Sequence, residues 1–423
     1  MSGVGRWLVA IAGSLAVALA VWQLEQVRQD VRIDHVSVGS TPVTVYQRTG
    51  VASAPAVIIT HGFAGSRQLM EGYALTLARA GYISVSFDFE GHGRNPTPMS
   101  GDVTRIDGTT QRLMTEIGRV TDYALRLPNA DGRIALLGHS MASDIIVRQA
   151  KADQRAQAVI AISMFSQAVT ATEPRNLLAI AGEWETFLRG EALEAARMVN
   201  AEAKEGETIG SFEDGTARRV VVAPSVEHVA VLYSPTALKE ARNWLDRVFE
   251  YSGPIDARPE TRGSEDPAPA VTGPWIVLLL VGIVALAWPA TRLLPVGKPA
   301  PSRQVSVRTF LVAALLPAVL TPLLLAPFDT RFLPILVADY LALHLLVYGL
   351  IVFGVLWLAG VGPGRLAWLS GLALAAYGIF IFGGVLDRYV ASFMPTVARI
   401  PIVLAIAIGS VPFMIADSLL AKA

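Results

Sequence analysis

The chain has 423 residues, a formal net charge of zero, 52% hydrophobic residues and no cysteine. Zero net charge predicts no nucleic-acid partner, and the absence of cysteine excludes disulfides, thiolate metal sites and a cysteine nucleophile. The length allows about two or three domains. The hydrophobic excess sits in one N-terminal segment and in everything after about Gly273.

Trp7 to Leu24 is almost wholly apolar behind Arg6, long enough to cross a bilayer as a helix. Its continuation through Val21 and Trp22 favours an uncleaved anchor over a signal peptide cut near Ala18-Leu19-Ala20, so residues 1–30 are read as anchor or signal. Either sends the following segment across a membrane.

Residues 31–251 alternate short apolar runs with amphipathic stretches. Strands are expected at Val43–Tyr46, Ala56–Thr60, Ile83–Phe87, Arg133–Leu137, Ala158–Ser163, Leu177–Ala181 and Arg219–Ala223. Helices are expected around Met70–Ala80, Gln111–Leu127, Ser143–Lys151, Thr186–Ala203 and Pro235–Phe249. Such alternation predicts an α/β domain with a mostly parallel sheet covered on both faces.

Residues 252–273, rich in Pro, Gly, Asp and Glu without apolar period, read as a linker. Residues 274–423 then carry apolar segments at Pro274–Trp288, Phe310–Phe328, Phe332–Leu358, Leu366–Leu386 and Ile400–Ala416. They predict a C-terminal bundle of about five transmembrane helices. Arg6, Arg292, Lys298, Arg303, Arg308, Arg365 and Lys422 fall on one side of these crossings, and only Arg331, Arg388 and Arg399 on the other. The more basic side is cytoplasmic, which places both termini inside and the α/β domain on the extracytoplasmic or periplasmic side.

The chemistry centres on Gly138-His139-Ser140-Met141-Ala142, directly after the apolar run Arg133–Leu137 and before a helical stretch. This strand–turn–helix layout exposes a serine on a sharp turn at a helix N-terminus, where developing negative charge is favoured. Ser140 is the expected nucleophile; Ser143 and Ser163 are near but off the turn. A serine needs a base, a group to orient that base, and donors for the oxyanion. The base is expected in a loop after a late strand, and His228 follows Arg219–Ala223. Of the other histidines, His35 precedes the core sheet, His61 and His92 belong to glycine turns, His344 lies in the membrane half, and His139 is expected to point away from the turn. The acid is expected after Leu177–Ala181, in Gly182-Glu183-Trp184-Glu185; Glu185 is favoured and Glu183 is the alternative. The order Ser140, Glu185, His228 is the hydrolase order of nucleophile, acid and base. The amides of Phe63, in Thr60-His61-Gly62-Phe63-Ala64-Gly65, and of Met141 are the expected oxyanion donors.

With these residues in place, residues 31–251 resemble the α/β-hydrolase superfamily, nearest its serine-aminopeptidase and monoacylglycerol-lipase-like branch. His61-Gly62-Phe63 resembles the His-Gly oxyanion motif, Asp88-Phe89-Glu90-Gly91-His92-Gly93 the strand-end Asp-x-x-Gly-x-Gly loop, and Gly138–Ala142 the Gly-x-Ser-x-Gly elbow. Ala142 departs from the last glycine, and the acid is Glu where Asp is commoner. The resemblance implies acyl transfer through an acyl-enzyme without metal or organic cofactor; it implies no single substrate. The membrane half resembles no named family.

Only Met164 to Arg175 separate Ala158–Ser163 from the next strand, too few for a large cap domain. The catalytic face is then either open to small soluble esters or walled by the membrane helices or bilayer, which suits an apolar acyl chain. Asp339 and His344, inside the fourth predicted span, read either as a polar pocket or as packing at shallow depth. The expected function is a membrane-bound, lipase-like serine hydrolase cleaving carboxylic esters, with a small-molecule ester or lipid-like substrate and the lipid bilayer as partners. An amidase, peptidase or acyltransferase would use the same residues. A ligand-binding or transport protein is the reading from another class. The membrane helices also allow a homo-oligomer.

Overall fold

Adjacent residues on the buried strands point to opposite faces, and that alternation builds the first half of the molecule. In the computed structural model, which describes residues 3–102, 106–251, 268–294, 305–332, 338–362 and 368–421, nine strands form one sheet. They are β1 (Val31–Val38), β2 (Thr41–Arg48), β3 (Ala54–Thr60), β4 (Ile83–Phe87), β5 (Ala130–His139), β6 (Ala156–Ile162), β7 (Leu177–Gly182), β8 (Thr208–Ile209) and β9 (Arg218–Ala223), in the order β1-β2-β4-β3-β5-β6-β7-β9-β8. The six strands from β4 to β9 along this order run parallel, while β1, β2 and β8 add antiparallel edges. Ile58, Leu136 and Val159 face one layer, with Leu113, Ile117 and Ile146 from α3 (Gln111–Leu125) and α4 (Met141–Ala152). Their neighbours Ile59, Leu137 and Ile160 face the other, with Leu77, Leu238 and Leu245 from α2 (Glu71–Arg79) and α6 (Pro235–Val248). Near-continuous apolar strands of this kind are what a sheet buried on both faces requires.

The sheet differs from the expected one at its edge. Strand β1 precedes the first expected strand and pairs with β2 along its whole length. His35 therefore lies within the sheet, with Nδ1 3.0 Å from Thr44 Oγ1. Polar residues fall on both faces of β1, Arg32 and Asp34 on one and His35 and Ser37 on the other, so it lacks the apolar run by which the buried strands are recognised. Helix α5 spans Thr186–Arg197 and stops short of the expected Ala203.

Among the described residues six helices are long and apolar enough to cross a membrane, at Val4–Gln26, Gly273–Leu293, Val307–Leu325, Ala338–Leu358, Leu369–Tyr389 and Val397–Leu420. The corresponding elements are α1 (Gly3–Gln26), α7 (Gly273–Ala290), α8 (Val307–Leu325), α9 (Ala338–Leu358), α10 (Trp368–Ala376) continuing through a widened turn into α11 (Gly384–Tyr389), and α12 (Ile400–Leu420). Lys298, Arg303, Arg365 and Lys422, linker residues 252–267, and the parts of two expected spans at 333–337 and 366–367 lie outside the described residues.

The chain divides into two compact units, Met1–Leu286 with Gly384–Phe393, and Ala287–Gly383 with Met394–Ala423. In the first, α1 and α7 approach closely: a β-carbon on Gly282 would lie 2.9 Å from Val17 Cγ2. In the second, α9 and α12 are closer still, since a β-carbon on Gly409 would lie 1.9 Å from the Ala342 carbonyl oxygen. Small residues let helix backbones meet where lipid removes any hydrophobic drive to associate. Asp339 sits in the first turn of α9, where its carboxylate accepts the backbone N–H groups of Phe332 and Tyr340, both at 2.9 Å. These bonds tie Asp339 to the backbone around the start of α9.

Candidate active site

Parallel strands end together, and here the ends of β3, β5, β6, β7 and β9 converge on one edge through the pairs Thr60 with Gly138, His139 with Ile162, and Gly182 with Ala223. Ligand sites in open parallel sheets form outside these carboxyl ends. Strand β5 turns into α4 at Ser140, whose φ of 54° and ψ of −120° hold a non-glycine residue in a strained left-handed conformation. The strain lifts the hydroxyl out of the sheet at the head of α4. Ser143, one of the two nearby serines, closes the turn by donating to the Ser140 carbonyl oxygen at 2.6 Å.

The three expected side chains meet at this point. His228 Nε2 lies 2.9 Å from Ser140 Oγ, and His228 Nδ1 lies 2.6 Å from Glu185 Oε1. The other carboxylate oxygen of Glu185 accepts from the Gly182 amide at 2.6 Å and from Ser163 Oγ at 2.8 Å. Burial pushes the Glu185 carboxyl up, but the bonds from His228, Gly182 and Ser163 outweigh it and hold it below the ordinary value. The bond to Glu185 raises the His228 imidazole above its ordinary value, against the opposing effect of burial. An acid below its usual range beside a raised imidazole is the pairing that fixes Nδ1–H toward the carboxylate and leaves Nε2 facing the hydroxyl. Glu183, the alternative acid, points elsewhere and accepts the Ser225 amide at 2.7 Å.

Two supporting residues were not legible in the sequence. Ser163 orients the carboxylate, although as a serine off the turn it reads only as a rival nucleophile. His139 does more than point away: its Nε2 donates to the His228 carbonyl oxygen at 2.8 Å, and the two rings stand 4.8 Å apart. Burial pushes the His139 imidazole down to about 4, so it stays neutral as a fixed donor gripping the loop of the base.

The His61-Gly62-Phe63 turn closes the site from the β3 side. A β-carbon on Gly62 would lie 3.0 Å from Ser140 Cβ, so glycine permits this approach. The amides of Phe63 and Met141 have no hydrogen-bond acceptor among the described residues. The turn is braced from behind. His61 Nδ1 donates to the Gly62 carbonyl at 2.8 Å, and its Nε2 accepts the Phe89 amide at 3.2 Å. Burial pushes His61 down to about 4, which keeps that acceptor nitrogen free of a proton. Buried Asp88 accepts the amides of Arg67 at 2.8 Å and Arg94 at 3.0 Å and pairs with the Arg67 guanidinium, locking the two loops together. The arrangement offers a hydroxyl with a base in contact, an oriented base and two amides, the parts needed for acyl transfer. No large cap domain follows β6; among the described residues, that connection is loop and the 186–218 insertion contributes α5 and the short β8.

Residues 31–251 thus form an α/β fold, a mostly parallel sheet with helices on both faces. Residues 52–195 match the family described as serine aminopeptidase, S33. No curated protein matches. Solved structures similar to this chain include TT1662 from Thermus thermophilus, with 18% identity, 52% of this chain and 98% of that one covered, and a TM-score of 0.38. A dienelactone hydrolase from Anabaena variabilis has 16% identity, the same two coverages and a TM-score of 0.39. An epoxide hydrolase from Vigna radiata has 12% identity, 52% and 98% coverage, and a TM-score of 0.37.

Proposed function

We propose that this protein is a membrane-bound serine hydrolase that cleaves carboxylic esters with hydrophobic, lipid-like acyl groups. The observation that carries the reading is the unbroken relay from Ser140 Oγ through His228 to Glu185, with both hydrogen bonds within 2.9 Å. In the first step Ser140 Oγ bonds to the acyl carbon while its proton passes to His228 Nε2. The amides of Phe63 and Met141 receive the negative oxygen. The imidazolium then protonates the leaving alkoxide as the carbon–oxygen bond breaks. Water, deprotonated by the same nitrogen, releases the acid and restores the serine.

Apolar side chains beside the site residues support the substrate class. Phe63, Trp184 and Phe187 are 56%, 66% and 65% exposed, and each is one of the oxyanion residues or lies within two residues of Glu185. Phe165, two residues after Ser163, packs its ring 5.9 Å from that of Phe187. Exposed aromatics gathered at a catalytic edge mark a surface that contacts apolar ligand. The charge distribution favours the extracytoplasmic side for this domain, and the packing of α1 on α7 favours an anchor that is retained.

The test is a panel of short-chain and long-chain esters beside matching amides, run on wild type and on Ser140→Ala. The expected result is turnover that rises with acyl length, favours esters and vanishes in Ser140→Ala. Amide preference would make the protein an amidase or peptidase, and turnover that survives in Ser140→Ala would end the serine mechanism.

A further inference from the structure

Gly384–Phe393, the end of the fifth span and the turn after it, belongs to the same compact unit as the α/β domain. Its contacts there are specific. The Ser392 amide donates to Ser66 Oγ at 3.2 Å, and Ser392 Oγ donates to Gln68 Oε1 at 2.9 Å. Asp387 pairs with Arg94. Arg388 pairs with Glu25 at 3.1 Å, and Tyr389 donates its hydroxyl to the same carboxylate at 2.9 Å. Arg28, itself paired with Glu71 at 2.5 Å, lies 5.1 Å over the Tyr389 ring.

The recipients of the first three contacts are the two loops that set the oxyanion turn. Ser66 is buried three residues after Phe63 and directly before Arg67, which is tied to Asp88. Arg94 belongs to the loop that Asp88 holds through its backbone amide. One short segment therefore grips both loops, while Glu25 and Arg28 fasten it to the end of α1. The contacts use side chains of defined length, and Ser392 bonds with both its amide and its hydroxyl. Oxyanion donors act through exact placement, and a displacement of about 1 Å can cost on the order of a hundredfold in rate.

We propose that residues 384–393 are a positioning strap for the oxyanion turn, with Asp387 and Ser392 as positioning residues for the hydrolytic reaction. The inference rests on the serine-hydrolase reading above and goes beyond it, because it gives a part of the membrane-spanning half a role in catalysis. The strap works through Ser66, Gln68 and Arg94, and touches no reacting atom.

The test uses the full-length protein in detergent or vesicles. Ser392→Ala removes the bond to Gln68, and Asp387→Arg places like charges together at Arg94. Both variants are expected to lower kcat by about tenfold with KM nearly unchanged, and to speed amide hydrogen exchange in the peptides covering 61–68 and 88–95. Ser392→Thr, which keeps the hydroxyl, and the reversed pair Asp387→Arg with Arg94→Asp are expected to recover most of both losses. These rescues separate positioning from a general loss of folding. Wild-type exchange and wild-type kcat in the two disruptive variants overturn the strap. A KM effect without a kcat effect also overturns it. Wild-type enzyme that is folded yet unreactive toward a fluorophosphonate defeats the hydrolase reading, and the catalytic role of the strap with it. Exchange in the same samples then reports whether the mechanical contact itself exists.

Discussion

The α/β half and the helical half bury their polar groups by different means. In the α/β half, buried carboxylates collect donors. Asp88 gathers two amides and a guanidinium, Glu116 takes Thr41, Asn95 and the Glu90 amide, and Glu185 takes Gly182, Ser163 and His228. In the helical half the close contacts are glycine against backbone, as at Gly409 and Ala342, and buried Asp339 serves a helix start. Buried charge can fix loops where, as at these three carboxylates, donors replace the lost hydration. Between helices long and apolar enough to lie in lipid, close packing of small residues sets the contact.

That contrast sets where substitutions act. The largest effect is expected at Ser140→Ala, which removes the nucleophile and lowers kcat by at least ~10⁴-fold, measured by ester turnover, while the helical half remains folded. Glu185→Gln keeps the shape but loses the carboxylate, and a fall of roughly 10³-fold in kcat is expected, whereas Glu183→Gln stays within a few-fold of wild type. The pH profile of kcat/KM sharpens the same point. The base must be neutral, and its pKa is raised above the ordinary 6.5, so activity rises with pH through a midpoint above that value. In Glu185→Gln that midpoint moves to lower pH as the stabilising carboxylate disappears. Trp184→Ala with Phe187→Ala should lower kcat/KM for long-chain esters by about tenfold and leave short-chain esters nearly unchanged, as loss of apolar contact predicts. In the other half, Gly409→Val should lower thermal stability, read by tryptophan fluorescence or differential scanning of the detergent-solubilised protein, with little effect on the pH midpoint.

The same contrast explains how much could be read from the sequence. Strands β2 to β7 and β9 were legible as apolar runs, and the serine turn, the late histidine and the glutamate order as small polar clusters at the ends of such runs, whereas the two-residue β8 was not. Strand β1 was not, since polar residues on both of its faces interrupt the apolar pattern. Ser163 and His139 were not, because their partners lie 22 and 89 residues away in the chain. Only the fold brings them together. In the helical half length and hydropathy marked five spans, but the strap at 384–393 reads in sequence as interfacial charge. Asp387 and Ser392 acquire meaning only once Arg94, Ser66 and Gln68 are placed beside them.

The most direct measurement is covalent capture. Folded full-length protein is treated with a fluorophosphonate, digested and mapped by mass spectrometry, with His228→Ala as the companion. The account predicts a single phosphonylated residue, Ser140, formed much more slowly in His228→Ala. Folded protein that takes no label, or that takes it at another serine, would contradict it.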